Sequence, residues 1–149
     1  MKALLQRVSG AAVSIADEEV GRISRGLVVF LGVADGDKAK DVQYLVRKIV
    51  TLRIFPDEEG KFDLSVSDIG GEMLLVSQFT LLADIRKGRR PSFIGAASPG
   101  QAEELFESFV EQARATGLKV ATGHFQQYMQ VEIYNDGPVT IMMDSREKF

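Results

Sequence analysis

The chain has 149 residues, a formal net charge of -3 at pH 7, and 45% hydrophobic and 26% charged residues, the balance of one ordinary globular domain rather than a disordered or fibrous chain. Zero cysteines and a single histidine, His124, leave no disulfide, thiolate nucleophile or histidine-rich zinc cage, so neither metal nor cofactor is expected. The acidic balance argues against broad phosphate-backbone binding and against a DNA partner. The lack of a long uncharged apolar run argues against a membrane, so a cytoplasmic protein is expected.

In chain order, residues 3–8, 12–15 and 19–23 alternate or are β-branched and predict strands, with Asp17-Glu18 as a hairpin tip. Residues 26–34 (GLVVFLGVA) are apolar almost throughout, which suits a strand buried on both faces. Val42, Leu45, Val46, Ile49 and Leu52 then fall at helical spacing, predicting a helix over 38–53 capped by Asp37. A turn at 56–60, a short edge strand at 62–66 and a buried strand at 72–81 (EMLLVSQFTL) follow. Ser98 caps a second helix, with Pro99 at its first position and Gln101 completing a capping box. Leu105, Phe106, Phe109, Val110 and Ala113 form its apolar face, and Gly117 stops it. Strands at 118–122, 129–134 and 139–143 close the chain, the last two joined by the turn Asn135-Asp136-Gly137-Pro138. Strand blocks separated by two principal helices predict a single α+β domain over 1–149 with a mainly antiparallel or mixed sheet, not a βαβ array. No Gly-rich phosphate loop follows any strand.

Three stretches carry candidate chemistry. Ser77-Gln78-Phe79-Thr80 puts two hydroxyls, an amide and a ring at the polar end of an apolar strand. The hydroxyls either satisfy the sheet or bind a substrate whose oxyanion is held by backbone N–H groups. Gly137-Pro138 is either a plain turn or a rigid pair of carbonyl acceptors aimed at an ammonium group. Arg86, Lys87, Arg89 and Arg90 form either a solvated loop or the best local phosphate site on an acidic chain. His124 has no identifiable carboxylate partner, and Asp17-Glu18-Glu19 and Asp57-Glu58-Glu59 read as solvated turn tips.

The opening LLQRVSGAAV, the LLVSQFTLLAD strand, the KGRRPSF loop and the terminal NDGPVTIMMDS together resemble the D-aminoacyl-tRNA deacylase family along the whole chain. The order SQFT, RPSF, GPVT is the specific part. The resemblance implies a homodimer, with sheets assembling across it, in which a cis Gly137-Pro138 pair reaches into the partner's site. There its carbonyls would hold the substrate's α-amino group so that an L-side chain collides with the backbone. Arg7 matches the arginine that braces this pair, and Ser77, Gln78, Phe79 and Thr80 match the strand lining the site of the ester and terminal adenosine. The family usually carries a GxFGAxM-like segment near the adenosine. Here Gly123-His124-Phe125-Gln126-Gln127-Tyr128-Met129 keeps Phe125 and Met129 and puts glutamines in place of the small residues.

The implied partner is a tRNA acceptor end carrying a D-amino acid or glycine, with Lys87, Arg89 and Arg90 as phosphate contacts. With no cysteine, an unpaired histidine and no visible base beside Thr80, the residues favour a protein that positions rather than attacks. The resemblance adds help from the 2′-hydroxyl of the terminal ribose. The competing expectation is a non-catalytic module that binds the tRNA 3′ end.

Overall fold

The computed structural model describes residues 1–147. Its elements are strands β1 (Lys2–Ile15), β2 (Glu18–Ile23) and β3 (Gly26–Gly32), helix α1 (Ala39–Thr51), strands β4 (Phe55–Pro56), β5 (Phe62–Leu64) and β6 (Glu72–Ser77), helix α2 (Pro99–Ala115), and strands β7 (Lys119–Thr122) and β8 (Gln130–Asp144). A 3-10 turn, Phe79–Leu82, follows β6.

One mixed sheet runs β2-β1-β3-β6-β7, with β8 along the other edge of β1, while β4 and β5 pair separately. β1 is antiparallel to β2, β3 and β8, whereas β3–β6 and β6–β7 are parallel. The expected α+β class and two helices are present, but β3-α1-β6 and β6-α2-β7 are parallel crossovers of the βαβ kind. Parallel neighbours cannot be joined by a tight turn, so each of these connections carries a helix.

The two predicted segments at 3–8 and 12–15 form the single strand β1, because β8 pairs with it on both sides of the predicted break. Ala16 and Asp17 close the β1–β2 hairpin with φ of 48° and 65°, the paired positive values that match the twist of the flanking strands. β3 and β6 are buried on both faces, as their apolar runs predict. Leu27, Val29, Leu31, Met73 and Leu75 join α1 and α2 in the main core. Val28, Leu74 and Val76 face a second cluster with Val8, Val13 and Ile23.

The predicted strand 72–81 stops at Ser77. Leu81, read there as a strand residue, belongs with Leu82 to the 3-10 turn and its packing against β3. A Cβ at Gly32 of β3 would lie 2.5 Å from Leu82 Cδ2 and 3.0 Å from the Gln78 carbonyl, so even a methyl group here would press on the turn. Two capping details also change. Lys38 is the N-cap of α1, because Asp37 is buried as an acceptor: it takes the Ala34 N–H at 2.7 Å and pairs with the Met1 ammonium at 2.7 Å. Ser98 is the N-cap of α2 and Pro99 opens it, as expected, but Ser98 makes no side-chain cap bond, and the Gln101 amide donates to the Asp37 carbonyl at 3.2 Å. Finally, the predicted strands 129–134 and 139–143 are one strand, β8, and the expected turn is an interruption inside it.

Candidate active site

The parallel strands β3, β6 and β7 all end on one side of the sheet, and a cleft of about 700 Å³ opens there, the usual place for a ligand beside parallel strands. Val33 follows β3, Val76 to Phe79 end β6 and enter the 3-10 turn, and Phe125 to Met129 follow β7. Ala96, Ala97, Pro99 and Ala102 close the cleft from the start of α2. Ser77, Gln78 and Phe79 are thereby brought together with Phe125 and Met129.

The Gln78 N–H completes the sheet by donating to the Leu31 carbonyl at 2.8 Å, and the turn's first bond runs from the Leu81 N–H to the Gln78 carbonyl at 3.2 Å. The N–H groups of Phe79 and Thr80 come before that bond, as opening N–H groups of a helical turn do. The Gln78 side-chain amide donates to the Thr80 hydroxyl. The Phe79 ring meets Phe93 edge-on, with centroids 4.9 Å apart.

Arg7, Gly137 and Pro138 form a second locus that does not line this cleft. In the β1–β8 ladder Gln6 pairs with Thr140 and Val8 with Asn135, so Asp136 to Val139 stand outside the register opposite Arg7. Here the Gly137–Pro138 peptide is cis. Arg7, 8% exposed, donates from Nε to the Asp136 carbonyl at 2.9 Å and from Nη1 to the Ile54 carbonyl at 2.8 Å. Its guanidinium lies 5.4 Å from the Phe62 ring centroid. Asn135 closes the other side, accepting the Val139 N–H at 2.8 Å and donating to Thr140 Oγ1 at 3.0 Å. Gly137 has φ of 138°, and a Cβ there would stand 2.8 Å from Val139 Cγ2 and 3.2 Å from Arg7 Nη2. The turn itself is exposed.

The basic segment is a protruding loop whose base is tied by two backbone bonds between Asp84 and Ser92, 2.8 and 2.9 Å. Arg86 grips Asp84 with Nε and Nη2 at 2.9 and 2.7 Å. These bonds, with the Arg86 backbone N–H, hold the Asp84 carboxyl well below the usual carboxylate range. Lys87, Arg89 and Arg90 are exposed at the tip, and the Phe93–Phe79 contact fixes the loop's base at the cleft.

Sequence reasoning missed the brace formed by Asn135 and the Ile54 carbonyl, and the alanine wall of the cleft. An asparagine before Asp-Gly-Pro was a usable signal for the first; a main-chain acceptor and small wall residues leave none. His124 is exposed beside a separate hollow of about 490 Å³ under Glu103, Glu107 and Glu111 of α2. Asp57 is a turn cap, accepting the N–H groups of Glu59 and Lys61 at 2.8 and 2.9 Å. Among the described residues no helix is long and apolar enough to cross a membrane.

The architecture is shared with a solved structure described as a probable eukaryotic D-amino acid tRNA deacylase, at 18% identity and a TM-score of 0.84 over 95% of this chain and 97% of that one. A second solved structure, the c-Myc DNA Unwinding Element Binding Protein, is 46% identical with a TM-score of 0.91 over 97% of this chain and 98% of that one. The chain is 58% identical to the D-aminoacyl-tRNA deacylase of Natranaerobius thermophilus and 52% identical to that of Clostridioides difficile, covering 100% of each. A family model described as D-Tyr-tRNA(Tyr) deacylase matches residues 4–144. The chain belongs to the D-Tyr-tRNA(Tyr) deacylase family.

Proposed function

We propose that this protein hydrolyses the ester bond of D-aminoacyl-tRNA, releasing the free amino acid and the tRNA, as a homodimer acting in the cytoplasm where tRNA is charged. The carrying observation is the Gly137-Pro138 turn, which is braced by Arg7 and Asn135 and exposed, yet absent from the cleft of its own chain. A turn built in this way has a purpose if it completes the cleft of a second copy. The Gly137 and Pro138 carbonyls then receive the α-ammonium of the substrate, and a side chain of L configuration meets main chain that cannot retreat. Glycine has nothing to clash, so glycyl-tRNA is a substrate as well.

Within the cleft, Phe125 and Met129 hold the terminal adenosine, and the N–H groups of Phe79 and Thr80 stabilise the developing oxyanion. Water attacks the ester carbonyl, the bond to the ribose oxygen breaks, and that oxygen takes up a proton. The 2′-hydroxyl of the same ribose assists by orienting the water. Thr80 is a poor nucleophile here, because its hydroxyl already accepts from the Gln78 amide, a partner that cannot take a proton. The chemistry of activation is thus left to the substrate, and the protein supplies orientation, worth several kcal/mol. Lys87, Arg89 and Arg90 meet the phosphates of the acceptor end.

Binding without turnover is the competing reading, favoured by the 46% identity to a protein named for binding a DNA element. Hydrolysis of matched D-, L- and glycyl-tRNA with and without chelator decides between them. D- and glycyl-ester cleavage that survives EDTA is expected. Binding with no cleavage overturns the proposal, and activity lost to EDTA and restored by a divalent ion overturns its metal independence.

A further inference from the structure

We propose that Tyr128 is a stacking platform for the nucleobase adjacent to the terminal nucleotide of the tRNA 3′ end, a subsite just outside the cleft. This rests on the reading of the cleft as a tRNA-end site. Tyr128 is 96% exposed, although it borders the cleft together with Phe125 and Met129.

Its backbone is fixed on both sides. Gln126 adopts a left-handed φ of 60°, the Gln127 N–H donates to the His124 carbonyl at 3.4 Å, and Met129 packs against the second core cluster. An aromatic ring held in water on a fixed backbone has few torsions left to lose when a flat partner covers it. The unpaired end of a tRNA offers such partners, and base stacking on an aromatic ring tolerates any base.

The direction of the strand follows from the surroundings. The cleft is lined mainly by apolar side chains, so the nucleotide before the terminal one, with its charged phosphate, is better placed over the rim than inside. Beyond Phe125 lies the hollow bordered by Glu103, Glu107 and Glu111 together with Arg114 and His124, where three carboxylates face one guanidinium and disfavour a phosphate chain. On the Tyr128 side the rim carries the uncharged Gln126 and Gln127, and a base passing there meets the ring.

The test uses an uncharged RNA hairpin with an unpaired 3′ end, labelled at its 5′ end, in two forms: intact, and with the base next to the terminal nucleotide removed to leave an abasic sugar. Fluorescence anisotropy gives Kd for each. The wild-type protein is expected to bind the intact RNA roughly tenfold more tightly than the abasic one. Tyr128→Ala should bind both at the weaker level, and Tyr128→Phe should keep the preference. Equal wild-type affinities for the two RNAs, or a preference retained by Tyr128→Ala, overturn the subsite. Because no ester is present, a failure of hydrolysis in the wild type would overturn the catalytic reading and leave this difference in affinity standing.

Discussion

Replacing Arg7 separates what the fold owes to this residue from what the site owes to it. Its side chain is nearly buried and donates to two main-chain carbonyls from different parts of the chain, Ile54 at 2.8 Å and Asp136 at 2.9 Å. A hydrogen bond to a charged group contributes roughly 1.5–3 kcal/mol. Arg7→Ala removes two and strips one face of Phe62, but water entering beside the exposed turn recovers part of the loss, so about 3 kcal/mol is expected. For a chain of this size that lowers Tm by roughly 6–12 °C. Arg7→Lys keeps the charge but lacks the planar fork that reaches both carbonyls, and should fall about midway. Thermal unfolding by circular dichroism gives the stability. Single-turnover cleavage of D-tyrosyl-tRNA, at a temperature where every variant is folded, gives the function. Since the turn loses its brace, both variants should cleave at least about tenfold more slowly than wild type, a misplacement effect rather than an unfolding effect. Arg7→Ala within about 1 kcal/mol of wild type and equally active would refute the reasoning.

Gly137→Val should cost more activity than Gly137→Ala. Both force a side chain onto φ of 138° with its Cβ 3.1 Å from the Val139 nitrogen, and valine adds branching on top; losses of about a hundredfold and more, read as initial rates on D-aminoacyl-tRNA, are expected for valine. Thr80→Ala should retain measurable turnover, because the hydroxyl it removes has a donor and no base beside it; an acyl group trapped on Thr80 and found by mass spectrometry would contradict this. A tRNA ending in 2′-deoxyadenosine should bind with unchanged affinity and react slowly, and equal rates for the ribo and deoxy substrates would return the activation of water to a protein group.

Elements whose character is written in local pattern were legible. The helical spacing of Val42, Leu45, Val46 and Ile49, the proline and glycine at the two ends of α2, and the two-sided burial of β3 all follow from residue type and period. What failed depended on neighbours distant in the chain. Asp37 reads as a helix cap, but the Met1 ammonium and the Arg146 guanidinium claim it. Leu81 and Leu82 extend an apolar run in sequence, and only the close approach to Gly32 makes them a turn. The segment around Asn135 to Pro138 reads as a hairpin connection. It is an interruption of one long strand, because β1 is long enough to pair with both sides of it. The candidate site divides in the same way. SQFT and Phe125 to Met129 are recognisable as short words, whereas Ala96, Ala97 and Ala102 form a wall through smallness alone, which no motif records.

The central claim is that the Gly137-Pro138 turn of one chain serves the cleft at Ser77 to Phe79 of another. It is tested most directly by mixing two inactive proteins. One carries Gly137→Val with an intact cleft; the other carries an intact turn and a cleft blocked by Ala102→Trp. After subunit exchange is verified with differently tagged chains, the mixture should regain D-aminoacyl-tRNA cleavage, because each mixed dimer holds one cleft with an intact partner turn. No regained activity in proven mixed dimers would contradict the account and show that each chain builds its site alone.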